Sequence, residues 1–392
     1  LTTTPSERRR RAERLFDAVE SLGLVVLLAG LPVSEAAKSA GLLLAALGFL
    51  GLRLSGAPFP ERGRGPMIAL AAFYLIAAAS TLAEPAGARR PEPLLSLALT
   101  LLAFPVVLDA CGRPKRRVLF AGAILAGAAI AAVMGYADYM SGRWLRLVLP
   151  SIENAVPAAE YLSAVTALAL AVLVVAWREA LAGPSVGFAL GVSWLALLMT
   201  KSRGPLLGAA IGAAAVVWAS LRRRQAAVFL VVLALGAVLF WRAYPEARAV
   251  KDLMVGSRAA ASRVFTWRQT VWRIAERPVL GHGPGSFRSL MIVYEDATGS
   301  IHQGNAHNAL LHVTAETGFL GCGALLTFLV LGIRGVFRAI RRAPPGLERA
   351  VAVGALAGVA AILVAGVFSV SIDAEPGILC YALLALGQPG RR

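Results

Sequence analysis

Residues 113–137 read RPKRRVLFAGAILAGAAIAAVMGYA. Four cations fall in the first five positions, and the next twenty residues carry no charge. Twenty apolar residues in a helix rise about 30 Å, the thickness of a bilayer's hydrocarbon core. The basic cluster at one end assigns that end to the cytoplasm. The stretch therefore reads as an oriented membrane helix, and the rest of the chain repeats the pattern.

Hydrophobic residues make up 58% of the 392 residues, charged residues 16%, and the mean hydropathy is +0.69. Soluble domains carry about 25% charged residues, so a soluble globular class is excluded. The length of the apolar runs favours helices over barrel strands, whose segments are shorter and alternate. Spans are expected at 15–33, 36–52, 67–83, 94–110, 118–137, 158–177, 186–200, 204–221, 226–244, 308–333, 350–370 and 376–388. The expected fold is an all-α integral membrane protein of about twelve transmembrane helices with one long periplasmic loop containing helices. Residues 1–244 would hold helices one to nine, 245–307 the loop, and 308–392 the last three helices.

The net charge of +17 would point to nucleic acid in a soluble protein. Here it follows the topology instead. Basic clusters recur at 8–14, at Arg53 with Arg62 and Arg64, at 113–117, at 222–224 and at 334–349. An N-terminus inside the cell places each of them, and the C-terminus, in the cytoplasm. The opening LTTTPSERRRRAERLF has no small-residue cleavage site after a short apolar core, so it reads as a trimmed start rather than a cleavable signal. Cys111, Cys322 and Cys380 lie in or beside expected spans without a CxxC pair, which argues against a disulfide framework or a zinc site. No HExxH or DxD occurs, so neither metal nor cofactor is expected.

The loop at 245–307 breaks the charge rule, with Arg248, Lys251, Arg258, Arg263, Arg268, Arg273, Arg277 and Arg288 on the outer side. Long loops cross regardless of charge, yet so many cations together suggest an anionic partner. Within it, SRVFTWRQTVWRIAERP spaces Val264, Trp267, Val271 and Ile274 by three and four residues, as an amphipathic helix stopped by Pro278. Its tryptophans suit a membrane interface. The glycines of GHGPGSF, 281–287, read as a chain-reversing turn, since no strand precedes them and no GK[ST] follows.

Three of the four histidines, His302, His307 and His312, fall just before or at the start of the span at 308–333. The turn TKSRGP puts Lys201 and Arg203 on the same outer side, and the loop helix adds Arg263. A basic turn also reads as a snorkelling anchor, and a loop histidine as a surface or capping residue. Together they suit one chemistry. Two guanidinium groups bind phosphate oxygens in two-pronged fashion, and their charge keeps a neighbouring imidazole neutral and able to accept a proton. Such a set serves a reaction in which a hydroxyl attacks and a diphosphate leaves. His312 and Glu316 are spaced to pair on one helix face. Glu295 and Asp296 can hold a cation or simply be solvated. Asp373, with Glu375, can orient an acceptor or cap a turn. Lys201, Arg258, Arg143 and Arg146 can extend an anion-binding surface.

In order, SRGP, Arg263 within SRVFTWRQTVW, RPVLGHGPGSF and HNALLHVTAETGFLG resemble the O-antigen ligase and polymerase superfamily of bacterial envelopes. The motifs cover residues 200–321, and the layout of spans extends the likeness along the chain. The resemblance implies an inner-membrane glycosyltransferase with a periplasmic active site, needing neither nucleotide nor metal. Its ligase branch transfers polysaccharide from undecaprenyl diphosphate to the lipid A core. It implies diphosphate-stabilising roles for Arg203 and Arg263 and a general-base role for His307. The polymerase branch, which extends a lipid-linked chain, and the protein O-oligosaccharyltransferase branch share the donor class. A transporter of polyisoprenoid-linked sugar would instead show inverted repeats, broken helices at the midplane or buried ion-coupling charges, none of which is visible in the sequence.

Overall fold

The structure, a computed structural model, describes residues 5–84, 90–177, 179, 183–220, 258–288, 292–296, 299–370 and 374–390. The described helices are α1 (Pro5–Gly30), α2 (Glu35–Leu54), α3 (Arg64–Ala83), α4 (Pro91–Ala110), α5 (Pro114–Met140), α6 (Ala155–Val175), α7 (Gly183–Met199) and α8 (Arg203–Ser220). They continue with α9 (Arg258–Glu276), α10 (Ala309–Arg342), α11 (Leu347–Ala365) and α12 (Glu375–Leu386). A short antiparallel hairpin, β1 (Ile292–Asp296) and β2 (Gly299–Gln303), lies between α9 and α10. Every expected span falls on one of these helices except 226–244, which lies outside the described residues.

Among the described residues, eight helices are long and apolar enough to cross a membrane: α2 to α6, α8, α10 and α11. Local signals set their starts. Ser34 and Asn154 accept backbone N–H groups at the N-termini of α2 and α6, and proline opens α4 and α5, where a missing N–H costs nothing. The last helix, α12, has only twelve residues, about 18 Å at helical rise. It is shorter than the hydrocarbon core, yet every residue from 376 to 386 is buried, so the surrounding bundle covers it.

Without water between helices, close backbone approach is a main source of attraction, and small residues permit it. A Cβ built on Gly41 would lie 2.3 Å from the backbone nitrogen of Leu27, and one on Gly48 would lie 2.3 Å from that of Glu20. Those glycines let α1 and α2 touch. In the centre, α6, α8 and α11 meet in the same way, with Gly208 against the Ala361 carbonyl. Ion pairs fasten the two ends of the bundle. At the basic end Arg53 pairs with Asp109 and Arg116 binds Asp17 at 2.7 Å. At the other end Lys38 bridges Glu35, 2.7 Å away, and Glu375.

Three features differ from the sequence reading. The apolar stripe read on α9 is not buried as a unit: Val264 and Val271 are 63% and 51% exposed, whereas Ile274 is buried together with Thr266 and Thr270. Both faces of the helix carry apolar groups, so periodicity alone could not choose between them. The outward face also holds Trp272, under the Arg268 guanidinium at 5.4 Å, a composition fit for a membrane interface. The second difference is the hairpin, which interrupts an otherwise helical chain. Third, the expected span at 308–333 is not continuous. Gly318, at φ 66° and ψ −175°, breaks α10 into a short piece, 309–317, and a long one, 319–342.

Candidate functional site

The break at Gly318 exists because another segment docks on it. The stretch after α9 turns three times through left-handed glycines, Gly281, Gly283 and Gly285. Its backbone then bonds across to the short piece of α10: His282 N–H to the Ala315 carbonyl at 3.0 Å, and Gly283 N–H to that of Glu316 at 2.8 Å. In return the Phe319 N–H reaches the Pro278 carbonyl at 2.8 Å. The carbonyls orphaned by the break thus find donors in the glycine turn. The buried His282 holds its Nε2 2.9 Å from the Arg273 carbonyl, at the end of α9. The glycine stretch is the expected turn, and it also clamps α9 to α10.

Beneath the clamp lies a small apolar core of Ile274, Phe287, Ala306 and Ala315, with Phe265 and Leu311 against it. It fixes α9 over the loop before α10. The Trp267 indole N–H donates to the Ala306 carbonyl at 3.0 Å. Arg263 stands one helical turn before Trp267, so its side is turned toward the same loop.

His307 follows Ala306. Its φ of 48° is unusual for a residue with a side chain, although histidine tolerates it better than most. Asn305 makes the conformation possible, since its Oδ1 accepts the His307 N–H at 3.0 Å in an Asx-type turn. Asn308 then caps α10, accepting the Leu311 N–H at 3.0 Å and donating its Nδ2 to the Val367 carbonyl at 3.2 Å. Burial first, and the Arg263 charge second, hold the His307 imidazole below the ordinary histidine value of 6.5. It is therefore neutral at neutral pH, with a lone pair for an acceptor's proton.

Arg203 opens α8 on the same end of the bundle. Its neighbour Gly204 packs against Phe368, and the turn containing Phe368 also supplies the Gly366 carbonyl that accepts the Ala309 N–H at 2.8 Å. Arg203 and His307 are thus joined through one turn, 366–368. That turn rests on a buried polar contact absent from the sequence reading: Ser369 Oγ donates to the carboxylate of Glu160, a fully buried residue of α6. Asn305 and Asn308 were likewise missed. Asn308, standing just before an apolar run, carries a recognisable N-cap signature; Asn305 and Glu160 carry none.

The other expected residues are more dispersed. Lys201, at φ 54°, is exposed in the turn before α8. Arg146 is exposed just before Leu147, whose N–H donates to the Met199 carbonyl at 3.2 Å. Arg143 is exposed and pairs with Asp138 at 2.9 Å, which lowers its value as an anion ligand. Arg258 begins α9. Asp373 lies outside the described residues. Among the outer arginines, Arg277 pairs with Glu84 and Arg273 with Glu276, so part of the positive excess is neutralised within the protein. His302 pairs with Val293 in the hairpin. His312 is buried on the short piece of α10, its Nε2 3.5 Å from Glu316 Oε1, as its spacing suggested.

The Arg263–His307 relation has a measurable sign. If the neutral imidazole is the active form, the rate is full above its pKa and is lost as pH falls through it. Because that pKa is lowered, the acidic limb of the pH–rate profile should lie below 6.5. Arg263→Gln removes one of the two causes, so the limb measured on its residual activity should move upward. A limb that stays put would mean that the arginine does not act on this histidine.

Residues 188–326 match a family model described as O-antigen ligase. The matched segment runs from within α7 into the long piece of α10, and it includes Arg203, Arg263, His307 and the glycine clamp. The resemblance read from the motifs is borne out there. No curated protein matches the chain.

Proposed function

We propose that this chain, whose residues 188–326 match the O-antigen ligase family model, is a membrane glycosyltransferase that moves polysaccharide from undecaprenyl diphosphate to the lipid A core. The family match supports an enzyme of the ligase and polymerase superfamily, and the helices support a multi-pass membrane protein. The observation that carries the reading is the convergence at one end of the bundle. There a histidine kept neutral by burial and by Arg263 sits on a loop joined through one turn to the helix that begins with Arg203. By the charge pattern of the connecting loops this end faces the periplasm and both termini face the cytoplasm of an inner-membrane protein.

In the proposed reaction His307 takes the proton of an acceptor sugar hydroxyl, whose oxygen forms a bond to the anomeric carbon of the donor. The bond from that carbon to the diphosphate oxygen breaks, and its electron pair leaves with undecaprenyl diphosphate. Arg203 and Arg263 stabilise the charge that grows on the leaving group. Attack opposite the departing diphosphate inverts the anomeric configuration. The donor bond itself supplies the free energy, so no nucleotide is consumed. Lys201, Arg258 and Arg146 extend the cationic surface around the donor, Arg143 less so because Asp138 holds it, and Asp373 helps orient the acceptor.

The test is transfer by the purified protein supplied with undecaprenyl diphosphate polysaccharide and lipid A core. The expected product is polysaccharide joined to the core, with inverted linkage. Chains that lengthen on undecaprenyl diphosphate instead would make the protein a polymerase. Arg203→Lys tests the leaving-group role separately: a point charge loses the two-pronged contact. One charged hydrogen bond is worth about 1.5–3 kcal/mol, so kcat should fall about 10- to 100-fold. Wild-type turnover in that variant would rule out two-pronged binding.

A further inference from the structure

On the bundle side of the 304–308 loop lies a cavity of about 400 Å³ that the donor chemistry does not use. Its wall includes Arg90, Ser96, Phe287, Asn305, His312 and Glu316, and none of Arg203, Arg263 and His307. We infer that this cavity is a saccharide subsite that seats the acceptor glycan while the lipid diphosphate occupies the arginine side of the same loop. The inference rests on the glycosyl-transfer reading for its role in catalysis, but the binding it describes can be measured without turnover.

Four observations lead there. The first is charge. Arg90 and Glu316 bring one guanidinium and one carboxylate to the wall, so the lining lacks the net positive charge that a diphosphate needs, while both groups hydrogen-bond sugar hydroxyls. The second is an unmet polar group. His312 is 7% exposed, and its Nδ1 is buried without a hydrogen-bond partner among the described residues. Leaving such a group unsatisfied costs about 1–3 kcal/mol, and native structures rarely do so without a reason. His312 also lines the cavity wall, and a sugar hydroxyl, which both donates and accepts, pairs with whichever ring nitrogen a small side-chain rotation brings to that wall.

Third, the wall is mixed in the manner a pyranose needs. The half-buried Pro93 and Leu97 offer apolar surface to the sugar's C–H groups, while Ser96, Asn305 and Arg90 supply polar edges. The volume falls within the roughly 300–1,000 Å³ of small-molecule sites, enough for one or two sugar units and too small for a polyprenyl chain. Fourth, the cavity reaches the base. Asn305 both lines it and holds the His307 N–H, and two residues of chain span at most about 7 Å. A saccharide seated against Asn305 therefore brings its next hydroxyl to His307. Asn305 becomes a positioning residue that couples acceptor binding to the orientation of the base.

The experiment uses the full chain in detergent and two probes, delipidated core oligosaccharide and undecaprenyl diphosphate, with binding read by titration calorimetry. Ser96→Trp fills the rim from an exposed position, and His312→Gln removes the imidazole. Both should weaken oligosaccharide binding by about tenfold or more and leave undecaprenyl diphosphate binding unchanged, which also shows that the variants are folded. Arg263→Gln should do the reverse. Wild-type protein that fails to bind the oligosaccharide, or binding equal in wild type and Ser96→Trp, overturns the inference. Transfer activity separates the two readings. If the wild type transfers sugar while the cavity variants bind oligosaccharide normally, only the subsite is wrong. If oligosaccharide binding follows the cavity but no transfer occurs, only the transferase reading is wrong.

Discussion

Replacing His307 should lower the transfer rate by about 10²- to 10⁴-fold, the range for removing a general base, while donor and acceptor binding stay close to wild type. The choice of variant matters because of the backbone. His307 sits at φ 48°, where alanine is strained and could disturb the loop by itself. Asparagine tolerates that conformation and cannot act as a base near neutral pH. His307→Ala and His307→Asn should therefore fail alike if the imidazole is what counts. Loss in the alanine variant with near-normal turnover in the asparagine variant would assign the effect to the loop. Full turnover in both would remove His307 from the mechanism. Single-turnover rates, measured with both substrates saturating, separate chemistry from product release.

The second large effect is structural. Gly318→Ala should sharply reduce stability in detergent and abolish transfer, although the residue is remote from the reacting atoms. Its φ of 66° and ψ of −175° lie in a region essentially restricted to glycine, with a cost of about 1–3 kcal/mol for another residue. An added Cβ would also fall 2.1 Å from the Val279 carbonyl oxygen, and overpacking costs about 1–3 kcal/mol more. The docked segment would separate from the short piece of α10, and the His307 loop would lose its support. Gly323, five residues on, is the control. It lies in the long piece of α10, and a Cβ there meets nothing within 4 Å, so Gly323→Ala should be neutral or stabilise by about 0.5–1 kcal/mol. Equal melting temperatures for the two variants would disprove the clamp.

Both predictions depend on contacts between distant segments, and this marks where sequence reading succeeds and where it stops. The apolar runs located the described helices because bilayer thickness sets their length, and solvation of charge sets their ends. Clusters such as 113–117 supplied the expected orientation, because cations are retained on one side. The residues proposed to carry the chemistry, Arg203, Arg263 and His307, were legible as candidates, since cations and a histidine stand out against so apolar a background. Less legible was the face of α9. Val264 and Val271 have the right spacing for a core, but lipid and protein attract apolar groups equally, so hydrophobicity does not say which face turns inward. The hairpin 292–303 escaped notice because two strands of five residues leave little periodicity.

By itself, then, the sequence determined the class of the protein, the positions of the membrane helices and the residue types that could handle a diphosphate and a proton. Each is a local property, set by the transfer of a side chain or a helix between water and hydrocarbon. Only the tertiary structure decided that the glycine turn 281–285 clamps α10 at Gly318, that Glu160 and Ser369 underpin the 366–368 turn, and that a cavity opens behind Asn305. Those depend on backbone groups finding partners tens or hundreds of residues away. A buried N–H or carbonyl must be paired, and which partner satisfies it is settled when the helices pack.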